Sequence, residues 1–347
     1  MTHLWVRAEE RADEARVALT PEGAAELIAR GFRVTVEDSP TRALPFGDYM
    51  AAGCEAAAPG SWREAPADAI ILGLKELPEE DTPLRHRHIL FGHAFKGQPA
   101  GARLLRRFRT GGGTLYDLES LTDETGRRVA AFGYWAGYVG AAVTLKAWAA
   151  QARGEICGRV AAHADRAALL AELTEEMGDV LRPDALVIGA KGRTGRGATD
   201  LLAAMNVKAQ LWDKEETAQG GPFPQILGYE ILLNCILAEP GGPVFVPADA
   251  VGMARRLRVI GDIACDPGAD YSPIRVYDRV TSWAAPALRV HAAPRLDVVA
   301  IDNLPAILPV ESSRDFAAQL LPYLTMLDRM DQGVWARARS AFERHAP

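Results

Sequence analysis

The stretch ALVIGAKGRTGRGATDLL, residues 185–202, decides how this chain folds. It opens as a short apolar run, as expected of a strand covered on both faces. Gly189, Gly192, Gly195 and Gly197 follow, and helical periodicity takes over from Ala198. The spacing G-x-x-G-x-x-G departs from the commoner G-x-G-x-x-G, but the physics is the same. Small residues permit a tight turn, and amides at the helix N-terminus face a pyrophosphate. A strand before the glycines and a helix after them is the context that gives such a motif weight. The next strand, 209–212, leads into Asp213, about 20 residues beyond the glycines. A carboxylate there is expected to hold ribose hydroxyls and to repel a 2′-phosphate, favouring NAD over NADP, although Lys214 beside it works the other way. The competing reading is a glycine-rich turn of any α/β fold with an ordinary loop carboxylate. The glycines and Asp213 together favour the nucleotide site. No G-K-[ST] follows, so this is not a Walker-type loop.

Working outward, strands alternate with helices on both sides, which implies mostly parallel sheets. Strand-like runs fall at 3–7, 32–36, 69–74, 88–92 and 113–118 before the glycine loop, and at 230–236 and 257–262 after it. Thr20 is placed to cap a helix that starts at Pro21 and stops at Gly31. Helical periods also mark 100–108 and 166–180, and amphipathic helices dominate from Glu311 onward. The uncharged run 129–145 is read as a strand ending near Phe132, then a buried helix whose Gly133, Gly137 and Ala141 form a small-residue stripe, in preference to a membrane span. The linker is expected around 134–165. Two α/β units are therefore expected: residues 1–133 with about 320–347, and residues 134–319.

With 347 residues the chain has room for both units. A hydrophobic fraction of 48% and a charged fraction of 24% are those of a globular protein. A formal net charge of -6 argues against a nucleic-acid partner. Cys54, Cys157, Cys235 and Cys265 form no metal or redox motif and read as idle thiols of a reducing compartment. No secretory signal opens the chain, and no metal site is expected.

Polar residues at strand ends are the candidates for chemistry, because ligands of open α/β sheets bind beyond the carboxyl ends of the strands. AIILGLKE places Lys75 and Glu76 after one strand, and ILFGHAFK places His93 and Lys96 after another. A lysine desolvated near another cation can serve as a base near neutrality, and histidine titrates there unaided. Singly, each reads as a solvated or hydrogen-bonded loop residue; as a pair they favour function. His86 and His88 read as exposed. Arg16, and Arg127 with Arg128, offer planar forks for a carboxylate, against the plain reading of surface solubility. Glu119 could pair with a lysine, and Asp262 could project from its strand end.

These segments together resemble the lysine-forming, NAD-dependent saccharopine dehydrogenases of the alanine dehydrogenase/transhydrogenase-like superfamily. The resemblance rests on EARVALTPEGAAELIARGF, the GSW at 60–62, DAIILGLKELPEEDTPL, HILFGHAFKGQ, GRRVAAFGYWAGYVGAA, the glycine stretch, WDKEET, LNCI and IDNLPAILP. It implies two Rossmann-like domains with parallel sheets and an interdomain active-site cleft. It implies NAD-linked oxidation of saccharopine to L-lysine and 2-oxoglutarate in the cytoplasm, by a monomer. Lys75 and His93 fall on the acid-base pair, and Arg16 and Arg128 on the substrate carboxylates. Lys96, Glu76 and Glu119 would tune the charge. Gly189, Gly192, Arg193, Thr194, Gly195, Asp213, Cys235 and Asp262 would line the cofactor. Lys191 and Thr194 depart from the family loop, where an apolar residue and a cysteine are common, and Asn303 stands where a histidine is common. The other readings are an alanine dehydrogenase-like enzyme, another N-(carboxyalkyl) amino-acid dehydrogenase, or an NAD-binding sensor without turnover.

Overall fold

The computed structural model describes residues 1–11, 13–95, 99–237 and 239–346, which divide into two compact units. The first is residues 1–131 with 309–347, and the second is residues 132–308.

The first unit begins with β1 (His3–Val6), α1 (Pro21–Ala29), β2 (Arg33–Glu37), α2 (Phe46–Ala51) and β3 (Glu55–Ala57). It continues with β4 (Ile70–Leu72), β5 (Arg87–Leu90), α3 (Pro99–Gly111) and β6 (Thr114–Asp117). Thr20 caps α1 as its sequence predicts, its hydroxyl accepting from the Gly23 amide at 3.2 Å, and Gly31 ends it with φ of 87°. All six strands are parallel, in the order β3-β2-β1-β4-β5-β6. This is the doubly wound order, and its direction reverses between β1 and β4. The ends of those two strands therefore flank the crevice where such sheets bind ligands.

The second unit starts with α4 (Gly133–Ala152), α5 (Arg166–Met177), β7 (Ala185–Ile188), α6 (Arg193–Ala204), β8 (Ala209–Trp212) and the single turn α7 (Lys214–Thr217). β9 (Ile231–Asn234), β10 (Val259–Asp262), β11 (Leu288–Ala292) and β12 (Arg295–Val299) complete it. Its sheet runs β11-β12-β10-β9-β7-β8, parallel except for the β11–β12 hairpin. The expected linker is instead the centre of this unit: α4 is buried on nearly every face from Gly137 to Gln151. Its one charge, Lys146, is buried and pairs with Glu172 and Glu176 of α5. The small-residue stripe has a definite use. A Cβ on Gly137 would overlap the Thr194 carbonyl, and one on Gly197 would overlap the Tyr134 carbonyl, so α4 and α6 pack backbone to backbone. No described helix is long and apolar enough to cross a membrane. The strand expected at 129–132 is only a turn with a lone Thr122–Arg128 bridge. The short apolar run VAAF is consumed in entering α4 and finds no sheet edge.

The chain returns to the first unit at Pro309, earlier than the expected 320, with α8 (Pro309–Leu324) and α9 (Gly333–His345). The whole of α8 goes because residues early and late in it hold the first unit. Ser313 accepts from the Val17 amide at 2.9 Å, and Gln319 exchanges hydrogen bonds with Ala131 at 3.2 and 3.3 Å. Trp335 of α9 packs edge-on against Tyr116 of β6.

Candidate active site

In the first unit, the chain beyond β4 carries Lys75 and Glu76, both half-buried. The chain beyond β5 carries His93, whose φ of 47° is left-handed. A non-glycine residue held there stores strain, which is common where a side chain must be aimed. Here it aims the imidazole between two carboxylates: Nε2 lies 3.2 Å from Glu76 and Nδ1 3.4 Å from Glu119. The hydrogen bond to Glu119 raises His93 above its ordinary 6.5, against burial, and Glu76 and Asp117 add to the rise. Asp117 is fully buried, accepts from the Glu119 amide at 2.9 Å, and is itself pushed up by burial. A cavity of about 520 Å³ opens beside Glu76 and Gly92, edged by Arg11, Glu80 and Arg103. The structure thus brings together His93, Glu76 and Glu119, with Lys75 one peptide away from Glu76.

The other polar residues of this unit are placed differently. Arg16 is 3% exposed and meets Glu14 bidentately, at 2.8 and 2.6 Å. Arg128 is exposed on the turn that follows Glu119. Lys96 lies outside the described residues. His86 and His88 are buried, contrary to expectation, because β5 is an inner strand of the sheet. His86 bonds the Ala65 carbonyl at 3.0 Å, whereas neither ring nitrogen of His88 has a partner among the described residues. His88 is instead enclosed by the rings of Trp62, His86 and Phe108, and burial drives it well below 6.5.

Sequence reasoning passed over several carboxylates here. Glu37, at the end of β2, is fully buried and accepts from the amides of Ala8, Gly60 and Trp62 and from the Trp5 indole, at 2.6–3.0 Å. The GSW segment at 60–62 is the loop that this carboxylate pins. Glu9 accepts from the amides of Leu74 and Lys75 at 2.6 and 3.0 Å, and burial pushes its carboxyl up while Arg7 opposes the rise. The available signal was the charged run RAEERADEAR, residues 7–16, directly following a strand.

In the second unit, the glycine loop joins β7 to α6. Gly189 has φ of 82°, and a Cβ on Gly195 would overlap the Gly189 carbonyl. Gly192 caps α6 with no side-chain bond, leaving a 12-residue helix to present its N-terminal turn. Arg193 and Thr194 are half-buried in that turn. Asp213 accepts from the amides of Lys191 and Lys214, both at 2.9 Å, and closes a capping box with Glu216. Burial works against its charge, but those two amides hold its carboxyl below the ordinary range. The Lys191 ammonium is drawn to Glu215 at 3.0 Å. Cys235 follows β9 and is pushed up by burial. All four cysteines are free. Asp262 does not project from its strand end as expected. It is 1% exposed, accepts from Asn234 and Tyr277 at 2.8 Å each, and is raised by burial. It ties β9 and β10 to the following loop because a strand-end carboxylate this deep needs two donors. Among the described residues no group of His, Cys, Asp and Glu could hold a metal ion.

A sequence model of the family described as "Alanine dehydrogenase/PNT, N-terminal domain" matches residues 5–139. Among solved structures, an L-alanine dehydrogenase superimposes with a TM-score of 0.68 at 17% identity, covering 99% of this chain and 94% of that one. The transhydrogenase from Sinorhizobium meliloti gives 0.66 at 16%, covering 96% and 97%. The fold is therefore that of the alanine dehydrogenase and transhydrogenase class. "Saccharopine dehydrogenase [NAD(+), L-lysine-forming]" of Candida glabrata is 41% identical over 99% of this chain and 96% of its own length. The Schizosaccharomyces pombe protein of the same name is 40% identical over 98% and 97%. The chain belongs to this saccharopine dehydrogenase family.

Proposed function

We propose that this protein is an NAD-dependent oxidoreductase that converts saccharopine and water to L-lysine and 2-oxoglutarate. The observation that carries the reading is His93 held between Glu119 and Glu76, the residue after Lys75, in a chain about 40% identical to lysine-forming relatives along nearly its whole length. NAD fits the second unit's loop on its own residues. Gly189 and Gly195 let the loop close tightly where a Cβ would strike its own neighbours, the α6 N-terminus offers amides, and Asp213 offers an ionised carboxylate. Gly192, Arg193, Thr194 and Cys235 complete the contacts we assign to it. When bound, NAD supplies the hydride acceptor.

In this reading Lys75 removes the proton of the secondary amine as its C–H bond is broken. His93 takes a proton from the water that adds to the resulting imine, and returns one to the departing lysine amine as the carbinolamine collapses. The flanking carboxylates suit His93 to that exchange, because they stabilise the imidazolium formed when it takes up the proton. Arg128, Lys96 and, on exchanging its Glu14 partner, Arg16 receive the substrate carboxylates. The enzyme acts as a monomer in the cytoplasm, which gel filtration and fractionation test.

A panel assay tests the reading. NADH is offered with 2-oxoglutarate plus L-lysine, 2-oxoglutarate plus ammonia, and pyruvate plus ammonia. Oxidation with the first pair alone is expected; ammonia-dependent turnover of pyruvate would replace it with an alanine dehydrogenase. The Lys75→Met variant should lose about 10²- to 10⁴-fold in turnover with NAD binding kept, the range for removing a general base.

A further inference from the structure

The first unit contains a second device, built around the peptide of Lys75 instead of its side chain. Arg7 follows β1 and is fully buried, with its amide bonded to the Leu72 carbonyl at 3.0 Å. Its Nη2 donates to the Lys75 carbonyl oxygen and to Glu9 at 3.2 Å. Glu9 in turn accepts from the Lys75 amide at 3.0 Å and the Leu74 amide at 2.6 Å. Both polar ends of residue 75's backbone are thus taken by one ion pair that comes from a different strand. Gly73 is part of the arrangement, since a Cβ there would overlap the Arg7 guanidinium.

We propose that Arg7 and Glu9 are positioning residues that clamp the backbone of Lys75, and with it Glu76 against His93. The inference rests on the reading of Lys75 as the base. The β5 side holds this chain only as far as the Leu74 carbonyl, which accepts from the Phe91 amide at 3.0 Å, so no strand partner fixes the Lys75 peptide itself. A loop carbonyl and amide exposed to water would let that peptide rotate. A fully buried guanidinium and a largely covered carboxylate, each neutralising the other, hold it with charge-assisted bonds. Because Glu76 is the next residue and lies 3.2 Å from His93, the same clamp fixes one of the two carboxylates that face the imidazole. Misplacement by about 1 Å can cost about 10²-fold in rate, so a small rotation here would be felt.

The test uses the full-length enzyme with saccharopine and NAD. Arg7→Lys keeps a cation near Glu9 but lacks the planar guanidinium whose Nη2 serves both Glu9 and the Lys75 carbonyl. Glu9→Gln keeps the shape but turns an amide NH₂ toward a backbone N–H. Each is measured alone and combined with Lys75→Met, whose residual turnover provides the background. The clamp predicts that each single variant lowers kcat by about 10- to 100-fold, with KM for NAD unchanged. It also predicts that each lowers kcat by a smaller factor once Lys75 is replaced, because one of the two positioned groups is then missing. A folded variant within about twofold of wild type would overturn it, and so would an equal fold-loss in both backgrounds, which marks a general structural effect. Failure of both variants to fold would overturn it too, by showing a pair that serves the sheet and not the lysine. Failure of the functional reading is seen separately: the wild type would not oxidise saccharopine, or Lys75→Met alone would leave turnover intact, and the clamp would fall with it.

Discussion

Glu37 and Asp213 occupy the same topological place, the end of the strand beside the one that opens its sheet, and they have opposite surroundings. Glu37 is fully buried and spends both oxygens on four donors of its own unit. Asp213 is half-buried, caps one short helix and reaches the backbone of the glycine loop. The preceding strand ends differ in step. In the first unit the residues after β1 are Arg-Ala-Glu, whose charges clamp the neighbouring strand end. In the second, the residues after β7 are Gly-Ala-Lys, and the lysine leans away toward Glu215. Two sheets that reverse direction in the same manner thus use the crevice in two ways. One is filled by the protein's own ion pairs and amides. The other keeps its backbone bare, and bare backbone near a helix N-terminus is what a pyrophosphate requires. Sheet topology decides where a crevice forms, and side-chain volume decides whether a nucleotide can enter it.

The comparison can be broken most directly at the two acids. Glu37→Gln should destabilise the protein by about 3 to 6 kcal/mol, since two of its charge-assisted bonds are lost at about 1.5–3 kcal/mol each. Asp213→Ser should change stability by under about 1 kcal/mol, because serine still caps α7. Denaturant unfolding of both variants checks this, and equal losses would erase the distinction.

The glycines sharpen it next. Gly197→Ala should cost about 1–3 kcal/mol, as it drives a methyl group into the α4 backbone. Gly192→Ala meets only the Gly189 carbonyl, at 3.2 Å, and should leave the fold intact while weakening NAD binding. Thermal melts with NAD titrations separate the glycine that packs helices from the one that leaves room for a ligand.

A smaller effect concerns pH. His88 in the folded first unit titrates well below 6.5, so the unfolded chain binds its proton first as pH falls. Stability from this group is therefore complete above about pH 6.5 and declines below it, by up to about 1.4 kcal/mol per pH unit. His88→Phe should flatten the fall in melting temperature between pH 7 and pH 5; an unchanged slope would show that His88 is not its source. The smallest effect is expected from Asp213→Ser on coenzyme choice, a shift toward NADP of about tenfold or less, given about 1 kcal/mol for one charge pair in water. An unmoved ratio would remove Asp213 from the ribose site.

Much of this was readable in the sequence. The Thr20 cap, the glycine loop before α6, and Lys75 and His93 at consecutive strand ends depend on local periodicity and backbone chemistry, which neighbouring residues carry. Other elements were missed for reasons that are equally physical. The hairpin β11–β12 lies in a stretch with weak alternation, and VAAF has a strand's composition but no edge to pair with. Asp262 looks like an open carboxylate until Tyr277 and Asn234 arrive from elsewhere in the chain.

The order of residues alone was enough to establish that there are two α/β units, which turn carries the bare glycines, and which lysine and histidine end up beyond strands. It could not say that Glu37 and Glu14 are buried while Glu215 is exposed, or that Arg16 faces Glu14. A charge reads the same in a sequence whether water or a folded neighbour satisfies it. Only the tertiary structure supplies that neighbour, and the cost of burying a charge makes the choice decisive.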